Sequence, residues 1–376
     1  MPKKILIFST AYFPLVGGAE IAVKEITSRL NNFDFDLITA RLDRKFPKIE
    51  KIVNVNVYRV GFGIGFDKFL LPFLGLLKAS KLEQKNYYDL TWSIMASFGG
   101  FLGLFFKYLH PQKPWLLTLQ EGDPIEYILK RVGILRPLFY KIFQKADFIQ
   151  AISFFLKNWA KKMGAKSLIK VVPNGVDIND FKKKNQSEIQ NIKNRLRIKS
   201  DEKVIINVSR LVKKNGLEDL IQAGQYLDFP FKILIIGKGS DKDKLIKLTK
   251  KLNLEEKIFF LGHIQYEDLV SYYSASDVFV RPSLSEGLGN VFLEAMANEL
   301  PIIGTNVGGI PDFLKHRETG LFCKVNNPKS IAEQIKEILF DRTLQKKIIM
   351  NGMKLVEENY TWHNIALKMK KIFLSL

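Results

Sequence analysis

Apolar residues along this chain fall in short runs that alternate with amphipathic stretches. Lys4–Ser9, Phe35–Ala40, Val53–Val60, Trp115–Gln120 and Phe148–Ile152 are rich in β-branched or aromatic residues and predict strands. Ala19–Leu30, Phe69–Leu82, Phe98–Leu109, Ile125–Phe143 and Phe154–Met163 carry helical spacing. The fourth of these is interrupted near Gly133 and Pro137, and the last stops at Gly164. Past residue 200 the alternation resumes. Strands are expected at Val204–Ser209, Lys232–Ile236, Ile258–Leu261, Val278–Arg281 and Pro301–Thr305, with helices at Gly216–Tyr226, Asp241–Leu252, Tyr266–Ala275 and Val291–Asn298. Such alternation predicts an α/β protein whose parallel sheets are covered on both faces. Two blocks of it predict two doubly wound domains facing across a cleft, with ligand at the carboxyl ends of the strands. Val171–Asp177 reads as a short strand entering a Pro-Asn-Gly turn, and the polar stretch 181–203 reads as a linker. No repeat of roughly 20–50 residues is visible, which excludes a solenoid.

Composition narrows the class. The chain has 376 residues, 47% of them hydrophobic and 26% charged, so it can bury a core and is not a disordered segment. One cysteine, Cys323, excludes an internal disulfide framework and any paired-cysteine zinc or redox site. The amino-terminal MPKKILIFSTAYF alternates like a strand and lacks a small-residue cleavage site, so no signal peptide is expected. Met95–Phe106 is too short and too glycine-rich to span a membrane. A cytoplasmic location follows as the expectation. The net charge of +20 is spread over both halves rather than concentrated on one arm, which argues against a nucleic-acid partner. It suits phosphorylated substrates or an anionic membrane surface, and a generally lysine-rich usage accounts for it equally well.

Four stretches carry candidate chemistry. In Arg281–Asp312, a strand ends in a glycine-containing loop, Glu286-Gly287-Leu288-Gly289, with Asn290 as expected cap of the next helix. Helix-start N–H groups suit a phosphate, while Glu286 and Glu294, eight residues apart, can each accept hydrogen bonds from sugar hydroxyls. In Ser209–Leu217, Arg210, Lys213 and Lys214 precede Gly216; a guanidinium fork and point charges stabilise the negative charge that develops on a diphosphate leaving group. Gly17 and Gly18 follow the first strand and permit close backbone approach, with Glu20 in the first helical turn. Gln120, Glu121 and Asp123 lie in a loop after the Trp115 strand, where Asp123 is equally readable as a helix cap before Pro124.

Taken together these motifs resemble glycosyltransferase family 4, retaining enzymes of the GT-B fold. Glu286 and Glu294 form its E-x7-E pair, flanked by S-x-x-EG-x-G, EAM and NVGGIPD, and Pro14–Glu20 is similar to its P-x-x-GG-x-E loop. The resemblance implies that Glu286 contacts the donor sugar, Glu294 the ribose, and Arg210 with a lysine the diphosphate. That lysine usually stands immediately before the glycine, where this chain has Asn215, so Lys214 is the candidate and Lys213 the reserve. A histidine of the family that contacts the transferred sugar is replaced by Gln120, which can hydrogen-bond a sugar hydroxyl but cannot shuttle a proton. Gly262-His263-Ile264 falls where the family contacts the nucleobase, so His263 and Ile264 are candidates, with a surface turn as the alternative.

The resemblance further implies an acceptor-side domain over 1–177 joined by the helix 361–376, a nucleotide-sugar domain over 178–360, and neither metal nor cofactor. The donor would be a UDP-, GDP- or ADP-sugar, the acceptor a glycan or lipid-linked glycan, and Glu286, Arg210 and Lys214 the groups acting on the reacting bond. Rival readings are a sugar-nucleotide 2-epimerase and a nucleotide-sugar-binding protein without turnover. The segments 61–85 and 98–113 are aromatic and flanked by lysines. They read either as a peripheral membrane patch or lipid-acceptor groove, or as core-facing helices.

Overall fold

The computed structural model describes residues 2–181 and 185–376. The chain divides into two compact units: the chain up to Asn174 together with Trp362–Leu376, and Gly175–Thr361. The sequence puts these passages at 177 and 360.

The first unit holds β1 (Lys3–Phe8), β2 (Phe33–Ala40), β3 (Ile49–Ile52), β4 (Val55–Val60), β5 (Leu90–Ile94), β6 (Trp115–Leu119), β7 (Phe148–Ala151) and β8 (Leu168–Val171). They form one sheet in the order β3-β4-β2-β1-β5-β6-β7-β8, parallel except for the β3–β4 pair. Strand order reverses between β1 and β5, which marks a topological switch point at their carboxyl ends. One sheet face is closed by the helices Gly18–Ser28 and Trp362–Ser375; Trp362, Met369 and Phe373 enter its core, and the Phe373 ring lies 5.1 Å from that of Trp92. A chain of buried polar side chains crosses β5, β6 and β7: Trp92 Nε1 donates to Thr118 Oγ1 at 2.7 Å, and Thr118 donates to Gln150 Oε1 at 2.6 Å.

The second unit holds β9 (Lys203–Val208), β10 (Phe231–Ile236), β11 (Ile258–Gly262), β12 (Val278–Arg281), β13 (Ile302–Thr305) and β14 (Leu321–Cys323). All pairs are parallel, in the order β11-β10-β9-β12-β13-β14. The order reverses between β9 and β12, and Asn207 ties the two by donating to the Val280 carbonyl at 2.7 Å.

Several elements are absent from the sequence reading. The strand β5, LTWSI, is buried at every position, so it shows no alternation and its Thr and Ser dilute the apolar run. The strands β3 and β14 are four and three residues long, too short for a periodic signal. Helices Pro328–Phe340 and Arg342–Asn359 are likewise unassigned by the sequence. Two expectations need correction. The stretch 181–203 is more than a linker: residues 182–184 lie outside the described residues, but Gln186–Arg195 is a helix capped by Asn185 that buries Ile189 and Ile192 among charged neighbours. The strand expected from Val171 instead ends there, because Pro173 has no N–H to continue the ladder.

Candidate functional site

In the second unit the loops after β9 and β12 flank the switch point and are locked together. Leu284 N–H donates to the Lys214 carbonyl at 2.7 Å. Gly216 has φ +68°, and a side chain there would overlap the carbonyl of Pro282. Gly308 has φ +55°, and a Cβ would overlap the carbonyl of Glu286, which also accepts from Gly309 N–H at 3.1 Å. The GG of NVGGIPD thus shapes the backbone under Glu286.

The side chains form one polar cluster around Arg281, the residue that ends the otherwise apolar strand β12. Arg281 and Glu286 are buried and ion-paired, Nη2 to Oε2, at 2.5 Å. The same Nη2 donates to Asn215 Oδ1 at 2.9 Å, and Asn215 Nδ2 donates to the Arg210 carbonyl at 2.6 Å. Glu286 Oε1 accepts from Gly287 N–H at 3.0 Å. Glu294, half-buried one turn into the helix Asn290–Ala297, accepts from the Tyr273 hydroxyl at 3.0 Å. Burial pushes its carboxyl up to about 7, against the opposing pull of the Tyr273 hydrogen bond and the Arg281 charge. Arg281 therefore acts on both members of the E-x7-E pair.

The predicted site residues of this unit lie as follows. Arg210 and Lys213 are exposed and Lys214 is half-buried, all in the loop after β9. Gly287, Leu288 and Gly289 are buried. Asn290 is not the helix cap: Gly289 occupies that position with φ +96°, and Asn290 is the first helical residue. His263 is exposed and Ile264 half-buried just past β11. A cavity of about 130 Å³ adjoins the β9 loop, but Glu218, Asp219 and Asp241 line it beside Lys213. That acidity has the wrong sign for a diphosphate, so we do not assign the donor to it.

In the first unit, Gly17 has extended backbone and caps the helix Gly18–Ser28. A Cβ on Gly17 would press on the Glu20 carboxylate at 2.8 Å, and burial raises that carboxyl above its usual range. Gln120 Oε1 accepts from Asn174 Nδ2 at 3.0 Å. Glu121 is buried; its Oε1 accepts from Ala96 N–H at 2.6 Å, while Oε2 has no partner, and burial pushes its carboxyl up to about 7. Asp123 is half-buried, but Pro124, not Asp123, occupies the cap of the helix Ile125–Val132. Among the described residues no His, Cys, Asp and Glu group has the makings of a metal site.

The sequence reading missed two functional neighbours, Arg281 and Tyr273. A charged residue closing the apolar run VFVR was the available signal for the first. Tyr273 carries no such signal within its helix.

The family model described as "Glycosyl transferases group 1" matches residues 188–355, and the one described as "Glycosyltransferase Family 4" matches residues 16–180. An uncharacterized glycosyltransferase of Methanocaldococcus jannaschii is 29% identical over 389 aligned positions, covering 96% of each chain. The N-acetyl-alpha-D-glucosaminyl L-malate synthase of Bacillus anthracis is 27% identical, covering 98% of this chain and 97% of its own. Among solved structures, Anabaena HepE in complex with UDP and glucose superposes with a TM-score of 0.82 at 21% identity, covering all of both chains, a likeness of fold.

Proposed function

Because the chain belongs to glycosyltransferase family 4, with the GT-B fold, we propose that it transfers a hexosyl unit, with retention, from a nucleotide-diphosphate sugar to a glycan or lipid-linked acceptor. Its place would be in cell-surface polysaccharide or glycolipid synthesis. The observation that carries this reading is the clustering of Glu286, Glu294 and Arg281 at the β9/β12 switch point, beside the loop bearing Arg210 and Lys214. A nucleotide-sugar donor is supported by what two similar proteins are named for: a glucosaminyl malate synthase, and HepE held with UDP and glucose.

On this reading Glu286 orients donor sugar hydroxyls and Glu294 holds the ribose. Arg210 and Lys214 neutralise the diphosphate as the glycosidic bond breaks, which lowers the barrier by fixed charge rather than by a metal. Nucleobase contact falls to His263 and Ile264, helix-start contacts to Gly287, Leu288, Gly289 and Asn290. Gly17, Gly18, Gln120, Glu121 and Asp123 serve the sugar and acceptor. With Glu286 paired to Arg281 rather than free to attack, the leaving phosphate takes the acceptor proton in a front-side displacement.

The test is release of nucleoside diphosphate from UDP-, GDP- and ADP-hexoses, with chelator and then with Mg²⁺. Release from one donor, undiminished by chelator, is expected. Binding of a nucleotide without release under either condition would instead favour the non-catalytic reading, for which the replacement of histidine by Gln120 is the specific ground.

We also infer that the first unit rests on an anionic membrane surface. Phe62, Ile64, Phe66, Phe69, Phe73 and Leu77 are exposed along the loop and helix over 61–86. The same segment carries Lys68, Lys78, Lys81 and Lys85, while its two acids, Asp67 and Glu83, are buried. Aromatic residues among cations, without exposed acids, match an acidic headgroup layer. No helix among the described residues is long and apolar enough to cross a membrane. Flotation with phosphatidylglycerol vesicles at low salt should carry the protein upward; retention at the tube bottom would refute this.

A further inference from the structure

The loop after β9 departs from the family pattern at one position. A lysine is expected before Gly216, and the residue there is Asn215, which is 1% exposed and uncharged. Lys214 stands one position early, and the spot at 215 itself meets a guanidinium delivered from the neighbouring strand. Arg281 reaches Asn215 Oδ1 at 2.9 Å and Glu286 Oε2 at 2.5 Å from the carboxyl end of β12. Asn215 passes the contact on to the backbone carbonyl of Arg210 at 2.6 Å.

Resting on the donor-site reading above, we propose that Arg281 is a positioning residue that supplies the fixed positive charge the family places at position 215, holding Glu286 and the Arg210 loop for the donor diphosphate. Three observations carry this. First, a buried arginine needs an anion, and Glu286 is the one it has. Second, Arg281 Nε is buried without a partner, so the guanidinium's donor capacity exceeds what Glu286 and Asn215 consume. Third, its charge also pulls the Glu294 carboxyl downward, so one guanidinium acts on both carboxylates of the motif. Asn215 then has a reason to be neutral: a lysine side chain there would bring an ammonium against the guanidinium, whereas an amide offers Oδ1 to Arg281 and Nδ2 to the Arg210 carbonyl. The pair has the form of a relocated charge, moved from the loop after β9 to the end of β12.

The test moves the charge back. Arg281→Met, Asn215→Lys and the double variant are compared by urea unfolding and by calorimetric binding of UDP, GDP and ADP and of the matching nucleosides. Arg281→Met should lose about tenfold or more in diphosphate affinity, with nucleoside affinity little changed. The double variant should regain most of both the diphosphate affinity and the urea midpoint, because the ammonium introduced by Asn215→Lys meets Glu286 in place of the guanidinium. Equal losses for nucleoside and diphosphate, or a double variant no better than Arg281→Met, would overturn the proposal. If no diphosphate binds the wild type, the donor reading fails, and recovery of the urea midpoint still decides whether a charge at position 215 replaces Arg281. Should Arg281→Met not fold, Arg281→Lys serves: retained charge should hold diphosphate affinity within about threefold, and a tenfold loss overturns the idea.

Discussion

Two glutamates close strand-end loops in the two units and are held in opposite ways. Glu286, after β12, has a guanidinium at 2.5 Å and a backbone N–H at 3.0 Å. Glu121, after β6, is equally buried but is served by backbone donors, the Ala96 N–H at 2.6 Å among them, and its Oε2 has no hydrogen-bond partner. The same side chain is thus ion-paired in one unit and a carboxyl pushed up to about 7 by burial in the other. Two equally buried acids differ in partner: the adjacent strand delivers a cation to one, and backbone donors serve the other.

The largest effect should come from breaking the anchored pair. Glu286→Ala strands Arg281 in a buried site with Asn215 as its remaining partner, at an expected cost of about 3–5 kcal/mol. Urea unfolding measures it, and a loss below about 1 kcal/mol would show that the pair is solvated in practice. Next comes Glu121. A glutamate ordinarily titrates near 4.5, and here the folded state holds the proton up to about 7. The stability it contributes is whole below about 4.5 and is lost as pH rises through 7, roughly 3 kcal/mol in all. Glu121→Gln removes that slope, whatever the cost of its unpartnered amide, so stability plotted between pH 4.5 and 8 should decline less than in the wild type. An unchanged slope would mean that Glu121 is ionised throughout. Glu294→Ala should then weaken nucleoside diphosphate binding by roughly 1.5–3 kcal/mol, the worth of a charge-assisted hydrogen bond. Calorimetry with an unchanged affinity would remove Glu294 from the ribose.

The difference between the units also governs what the sequence could reveal. Strand–helix alternation and the E-x7-E spacing are local patterns, so both sheets and the position of Glu286 and Glu294 were legible. The strand β5 was not, because a strand buried on both faces with Thr91 and Ser93 inside it has neither alternation nor a continuous apolar run. Arg281 was legible as a strand end, but not as the partner of Asn215, since that contact joins β12 to a loop 66 residues earlier, nor of Glu286, since that pair depends on how the loop after β12 folds back. Asn215 was visible only as a departure; its compensation is a fact of topology. The exposure of Phe66, Phe69 and Phe73 was undecidable from spacing, which fits a core-facing helix as well as a surface one.

The smallest effect tests how the first unit holds those aromatics. Asp67 is fully buried, and its Oδ2 accepts from Phe62 N–H and Gly63 N–H at 2.7 Å each and from Ile64 N–H at 3.2 Å. One carboxylate therefore folds the loop 61–67 into a fixed shape in which Phe62, Ile64 and Phe66 face water. Here the buried carboxyl is held through Oδ2 by backbone donors, in place of the cation that pairs with Glu286, while its Oδ1 has no hydrogen-bond partner. Asp67→Asn keeps an oxygen for some of these donors and loses the charge, so local opening should become easier by about 1–2 kcal/mol with little change in global unfolding. Amide hydrogen exchange at Phe62, Gly63 and Ile64 reads that directly. If the loop's fixed shape presents its aromatics to a membrane, vesicle flotation should fall in the same variant, because ordering the loop must then be driven by binding. Faster exchange with unchanged flotation would leave Asp67 as a loop-folding residue and assign membrane contact to the helix residues Phe69, Phe73 and Leu77 alone.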